Sequence, residues 1–315
     1  MPRSLAMDII SAIASAAARN SRHSHSHPEG PDVEREFEVA EFDRIEIAAP
    51  FDVDVDVGSP ARVHASGPPW ALDSIRVEAE GGRLFIGCDG DCDGDVSLSV
   101  SVPTLRGLRN SGSGDVSVDK VAGDSFDCTS SGSGDLAIDS IDVGSLKLSS
   151  AGSGDLAIEK IRGSEVEIAI MGSGDLAGDA IEARELKLTM NGSGDARIEE
   201  FSGDALKAVL TGSGDAAFDT VEAGTLEITT FGSGDMLIEG GQAQRARIQT
   251  SGSGDISSEG AQFVEASFST CGSGDISATV TARADIAVMG SGDISVTGGA
   301  KCTVTASGSG EIRCS

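Results

Sequence analysis

The feature that most constrains this chain is a tetrapeptide returning on a fixed period. Gly-Ser-Gly-Asp begins at residues 112, 132, 152, 172, 192, 212, 232, 252, 272 and 290, and Gly308-Ser309-Gly310-Glu311 ends the series. The first nine copies are twenty residues apart and the last two follow at eighteen. A flexible Gly/Ser linker keeps no such register and collagen repeats every third residue, so the period is structural.

Between the tetrapeptides apolar residues alternate, as in Leu136, Ile138 and Ile141 followed by Leu146 and Leu148, and again in Leu156, Ile158 and Ile161 with Val166, Ile168 and Ile170. Period two is the mark of a strand. Each coil is expected to supply two strands, and coils stacked about 4.8 Å apart would bury a continuous interior. The expected fold class is all-β: a parallel β-helix, or β-solenoid, of two sheets, with about ten coils of the observed 18–20-residue length. Each inward side chain contributes about 1.5–3 kcal/mol against an ordering cost of about 1.5 kcal/mol per residue, so one coil is marginal and many are needed. The turn glycines are expected to supply positive φ and to leave room where turns stack.

Composition agrees. With 42 glycines, no tyrosine, one tryptophan (Trp70) and ten phenylalanines in 315 residues, the core falls to Val, Ile, Leu and Ala, as stacked strands prefer. A net charge of -28 and a pI near 4.3 repel phosphate backbones and attract cations or basic partners, which argues against nucleic acid. No run of eighteen apolar residues occurs, so no transmembrane helix is expected.

Four segments follow. Residues 1–19 read as a signal-like or amphipathic helix: the basic start and small-residue exit suit export, Asp8 within the apolar stretch does not, and both readings stay open. Residues 20–34 form a polar linker in which His23, His25 and His27 are weak metal candidates and more simply polar. Residues 35–110 hold alternating strands without the tetrapeptide and read as irregular first coils and an N-terminal cap; residues 111–315 are the regular GSGD-repeat solenoid.

The Asp of each turn precedes an inward residue, which sets Asp115, Asp135, Asp155, Asp175, Asp195, Asp215, Asp235, Asp255, Asp275 and Asp293 outward in one ladder. A second acidic row, from Asp119 and Asp139 through Glu159 to Glu259, follows four residues on, with small residues such as Ala137 between. Charges at that spacing repel by about 0.9 kcal/mol in water and about 3.5 kcal/mol at a dielectric of 20. Either turn amides and solvent relieve the repulsion, or the row binds Ca²⁺; the calcium nonapeptide GGxGxDxUx is absent, which favours the amides. The opposite side carries a mixed row, Asp127, Lys147, Glu167, Lys187, Lys207, Glu227 and Arg247, beside a threonine and serine row broken by Ala169, Val209 and Gln249, too irregular for ice binding.

Catalysis has little support: the folded region holds one histidine, His64, and no GxSxG, HExxH or P-loop. The expectation is a protein without enzymatic activity or an obligatory cofactor. Six cysteines show no CxxC pair, and Cys88 with Cys92 are either a local disulfide or free thiols. The four residues after the last turn are too few to cap a strand edge, so a homo-oligomer through the C-terminal edge, locked by Cys314, is expected.

The stretches Phe42-Asp-Arg-Ile-Glu-Ile, Phe51-Asp-Val-Asp-Val, Gly81-Gly-Arg-Leu-Phe-Ile86 and Val102-Pro-Thr-Leu, with the serial GSG turns, resemble the bacterial DUF2807 family, the autotransporter adhesin head GIN domain, over about residues 35–315. The resemblance implies a two-sheet superhelix with GSG at the tight turn, a cell-surface or envelope location, and contacts to protein or extracellular matrix. It transfers no catalytic residue. The rival reading is an intracellular self-assembling scaffold.

Overall fold

The computed structural model describes residues 31–315 apart from Asp91 and Asp93. The signal-like helix and His23, His25 and His27 lie outside the described residues. The protein is a β-solenoid of about ten turns, in two compact units meeting in sequence between Lys160 and Ile161.

The first unit opens with β1 (Val33–Phe37), β2 (Arg44–Ala48), β3 (Asp52–Val57), β4 (Arg62–Gly67), the single-turn α1 (Pro69–Leu72), β5 (Ile75–Glu80), β6 (Arg83–Cys88), β7 (Ser97–Val102) and β8 (Gly107–Asn110). The regular coils β9 (Val116–Ser130) and β10 (Leu136–Ser150) follow, and β11 (Leu156–Ile170) begins here. Chain order and spatial order differ at the start. The β2–β3 coil lies between two others, with β2 parallel to β6 and β8 and β3 parallel to β7 and β9. Antiparallel strands then cover the outer edge of the β6–β7 coil: β5 pairs with β6, β4 with β7, and β1 with β4. The edge amides that parallel stacking would leave open are thereby paired. Cys88 and Cys92 form a disulfide where β6 ends.

The second unit contains the rest of β11, then β12 (Leu176–Gly192), β13 (Ala196–Gly212), β14 (Ala216–Gly232), β15 (Met236–Ile238), β16 (Gly241–Gly252), β17 (Ile256–Thr270), β18 (Ile276–Val288), β19 (Ile294–Thr297), β20 (Lys301–Ala306) and β21 (Ile312–Cys314). Parallel pairing at the twenty-residue period sets Leu176 beside Ala196 and Ala216 beside Met236. The change to eighteen occurs at one place: Ile256 pairs with Ile276, but after register shifts between Ser258 and Glu265, Ala266 pairs with Ala284. The two residues are lost at a bend, which leaves the ladders on either side intact.

The two strands expected per coil run on as one strand of fifteen to seventeen residues in most coils. In β10 the buried outlines are Leu136 and Ile138, then Ile141 and Val143, then Leu146, Leu148 and Ser150. The steps of three mark bends at which the pleat changes phase while pairing to the next coil continues. Aromatic side chains fill the widest places, with Phe126, Phe201, Phe218, Phe263 and Phe268 almost fully buried.

The turn glycines differ from expectation in their main cause. Of the tetrapeptide glycines only Gly212 (φ 129°) and Gly232 (φ 136°) have positive φ. What the others require is close approach: a Cβ on Gly132 or Gly134 would fall on the backbone carbonyl of Gly112 or Gly114 one coil away. Backbone stacks directly on backbone, and only glycine permits it.

Cys314 also corrects the expectation, because it pairs with Cys302 of the same chain instead of standing ready for a neighbouring molecule. Their register partners Val296 and Ala284 are buried, so both cysteines occupy inward positions and the disulfide ties the last coil across its interior.

Candidate functional site

Each turn ends in a short carboxylate, and the stacking decides what it reaches. In the first unit the amide of Asp115 donates to Oδ1 of Asp52 at 2.9 Å, Asp135 to Asp115 at 2.9 Å, and Asp155 to Asp135 at 2.7 Å. In the second unit Asp195 donates to Asp175 at 2.8 Å, and Asp215, Asp235, Asp255, Asp275 and Asp293 each donate in turn to the preceding member. Glu311 continues the row with an amide bond of 2.6 Å to Asp293. One carboxylate oxygen per member thus accepts a charge-assisted bond that offsets part of the repulsion between neighbours.

The ladder begins one coil earlier than the tetrapeptide does. Gly112 and Gly114 stack on the carbonyls of Ala49 and Phe51, and Asp115 on Asp52. Ala49-Pro50-Phe51-Asp52 therefore occupies the place of a GSGD turn. The signal was present: Phe51-Asp-Val-Asp-Val has the phase of Gly114-Asp-Val-Ser-Val.

The two units expose the row differently. Asp115, Asp135 and Asp155 are half-buried, whereas Asp175 to Asp293 are exposed. Desolvation raises the carboxyls of Asp52, Asp115 and Asp135 above the ordinary aspartate range, with repulsion from neighbouring aspartates adding to it and the amide bond opposing it. Burial and Asp119 likewise raise Asp139. At Asp119 burial opposes ionisation, but amide bonds from Val57 and Lys120 and the Lys120 charge hold the carboxyl low.

Between the ladder and the second acidic row stand small residues, Ala137 and Ala157 in the first unit and Ala177 in the second, each nearly inaccessible although on the outer face. Arg197 stands in that column and pairs with Asp219 at 2.6 Å and Glu239 at 3.9 Å. The acidic trough is locally neutralised there. The mixed row opposite is cross-linked by Lys187 to Glu167 at 2.6 Å and Lys207 to Glu227 at 3.1 Å. Among the described residues no group of three or more His, Cys, Asp and Glu has the arrangement of a metal site, and no helix is long and apolar enough to cross a membrane.

Parallel coils that present the same outward positions again and again define a repeat β-solenoid with long ladder faces. The chain belongs to the family described as "Putative auto-transporter adhesin, head GIN domain", which matches residues 41–214 and 197–300. Similar solved structures include one from Parabacteroides distasonis described as a "Putative lipid binding protein", 20% identical with a TM-score of 0.42, the match covering 91% of this chain and 97% of that one. A "putative adhesin" from Bacteroides fragilis is 18% identical with a TM-score of 0.33, covering 91% and 99%. Another from Parabacteroides merdae is 15% identical with a TM-score of 0.39, covering 91% and 97%. A search of curated proteins finds no match.

Proposed function

We propose that this chain is a non-catalytic adhesion surface of the bacterial cell envelope whose ladder faces contact protein or extracellular matrix. The observation that carries this reading is the repetition of outward charge at one coil period, from Asp115 to Asp155 in one unit and from Asp175 to Glu311 in the other. A face of that kind binds by many weak, equivalent contacts, so affinity comes from their number more than from any one pocket. Its sign selects basic partners.

Protease shaving of intact cells, with mass spectrometry of the mature N-terminus, tests the location. Cleavage of an exported protein by external protease is expected; an intact chain confined to the cytosol would favour the internal scaffold. Binding to immobilised matrix proteins should weaken as salt rises and should be lost when several ladder aspartates become asparagine. Calcium is a candidate ion of the same acidic face: a melting temperature raised by millimolar calcium and lowered by chelator supports it, and no shift removes it.

A further inference from the structure

One outward residue precedes each turn, and before every copy of the tetrapeptide but the fifth it is Ser, Ala, Met, Thr, Phe or Cys. Before the fifth, Asn191 stands directly against Gly192. The other asparagines of the chain, Asn20 and Asn110, are each followed by serine, so Asn191-Gly192 is its one Asn-Gly pair. The two asparagines of the solenoid are placed differently. Asn110 is fully buried, and its side chain accepts from the Gly112 amide at 3.0 Å and donates to the Gly114 carbonyl at 3.4 Å. Asn191 lies in an outward column and is exposed.

An asparagine side chain is a labile amide, and a following glycine makes it more so, because no Cβ screens the glycine nitrogen. The Gly192 nitrogen gives up its proton and bonds to Cγ of Asn191, the Cγ–Nδ2 bond breaks, and ammonia leaves with that proton. Water then opens the cyclic imide. Attack at Cγ gives aspartate; attack at the main-chain carbonyl gives isoaspartate, whose backbone runs through Cβ and Cγ and is one carbon longer. The net change is amide and water to acid and ammonia, with no oxidant or reductant.

The fold restrains the start of this reaction and is vulnerable to its product. Asn191 and Gly192 end β12 in parallel register with Thr211 and Gly212, and a paired strand fixes the dihedrals that ring closure has to change. Closure therefore requires the turn to open locally. An added backbone carbon has no room there: a Cβ on Gly192 would lie 2.0 Å from the Gly172 carbonyl oxygen, and one on Gly212 would lie 2.2 Å from that of Gly192. The turn is held by the Ser193 amide on the Gly172 carbonyl at 3.2 Å, the Asp195 amide on Asp175 at 2.8 Å, and the Ser213 amide on the Gly192 carbonyl at 3.1 Å. We propose that Asn191 is a site of spontaneous deamidation: it is protected while the turn is stacked, reacts when residues 192–195 open, and as isoaspartate prevents the turn from restacking.

The test ages the full chain in mildly alkaline buffer and maps it by mass spectrometry, with isoaspartyl methyltransferase labelling to separate isoaspartate from aspartate. Isoaspartate is expected at 191, absent from Asn191→Gln and fastest in the urea-unfolded chain. Asp175→Ala frees the Asp195 amide and should speed the folded chain's reaction about fivefold, as a slightly weaker turn opens more often. Hydrogen exchange of the aged fraction should show protection lost at Ser193, Asp195 and Ser213, which Asn191→Asp, carrying the charge without the added carbon, keeps. Melting temperatures close to the parent's would show that Asn191→Gln and Asn191→Asp fold. No isoaspartate in the folded parent after a time in which the unfolded chain has reacted completely overturns the site, as does an unreactive unfolded chain. Equal rates in the unfolded chain, Asp175→Ala and the parent overturn the protection by the turn. An aged fraction protected like Asn191→Asp overturns the loss of stacking.

Discussion

In the coil formed by β2 and β3 the turn holds Ala49 and Phe51, whereas the same two places in the regular coils hold glycine. Phe51 is 2% exposed and belongs to the core. Its coil is flanked on one side by Gly112 and Gly114, which supply the close backbone approach, and on the other by the β6–β7 coil, in whose sequence no Gly-Ser-Gly-Asp occurs. A regular turn has an identical turn stacked against it, and a side chain there has nowhere to go. The contrast shows that glycine is demanded by the neighbouring coil more than by the turn's own dihedrals.

Substitutions at matched places test that contrast, and the largest effect is expected at Gly134→Val. Its Cβ would meet the Gly114 carbonyl, backbone that cannot rotate away, and a loss of about 4 kcal/mol or more is expected, beyond the usual overpacking range. Phe51→Ala should cost about 3–5 kcal/mol through the cavity it leaves. Denaturation followed by hydrogen exchange should place the first loss around residues 112–136 and the second around β2, β3 and β7. If Gly134→Val were tolerated, the backbone-contact account would fail.

The ends of the chain's described part sharpen the comparison next. Antiparallel strands cover the first coil, while the last is closed by the Cys302–Cys314 disulfide. Replacing both cysteines by serine should cost about 2–3 kcal/mol, the loop-closure value for a loop of this size, with exchange protection lost first in β20 and β21. Cys128, by contrast, is buried and its thiol is pushed up to about 12, so it should resist alkylation in the folded protein.

Within the aspartate ladder the effects are smaller. Asp195→Ala removes the acceptor of the Asp215 amide and should cost about 1 kcal/mol, whereas Asp195→Asn keeps an acceptor and should cost less. In the first unit the folded-state carboxyls of Asp52, Asp115 and Asp135 are raised. Their contribution to stability is therefore fully present below the ordinary value of 3.8 and is lost as pH rises through the raised folded values. Asp119, held low, acts oppositely and loses its contribution as pH falls below that value. Melting curves of the double variant Asp115→Asn, Asp135→Asn should show a weaker loss of stability between acidic and neutral pH than the parent does.

Much of the ladder was legible because its cause is periodic. A twenty-residue return of Gly-Ser-Gly-Asp, with alternating Val, Ile and Leu between, specifies stacked strands, an outward carboxylate and its neighbours without reference to any distant segment. Asp52 escaped that reading because Ala49 and Phe51 disguise the turn, although Val53 and Val55 keep the phase of Val116 and Val118.

What the sequence alone determined is the coil: its length, its inward residues and the order of its outward ones, since pleat and turn are local properties. Tertiary structure decided which edges meet. The β2–β3 coil enters between segments that follow it in the chain, and Cys314 finds Cys302 across the interior, not a neighbouring molecule. Strand alternation says which face is buried but not which partner covers an edge, and that choice depends on how all the open amides and apolar surfaces are satisfied together.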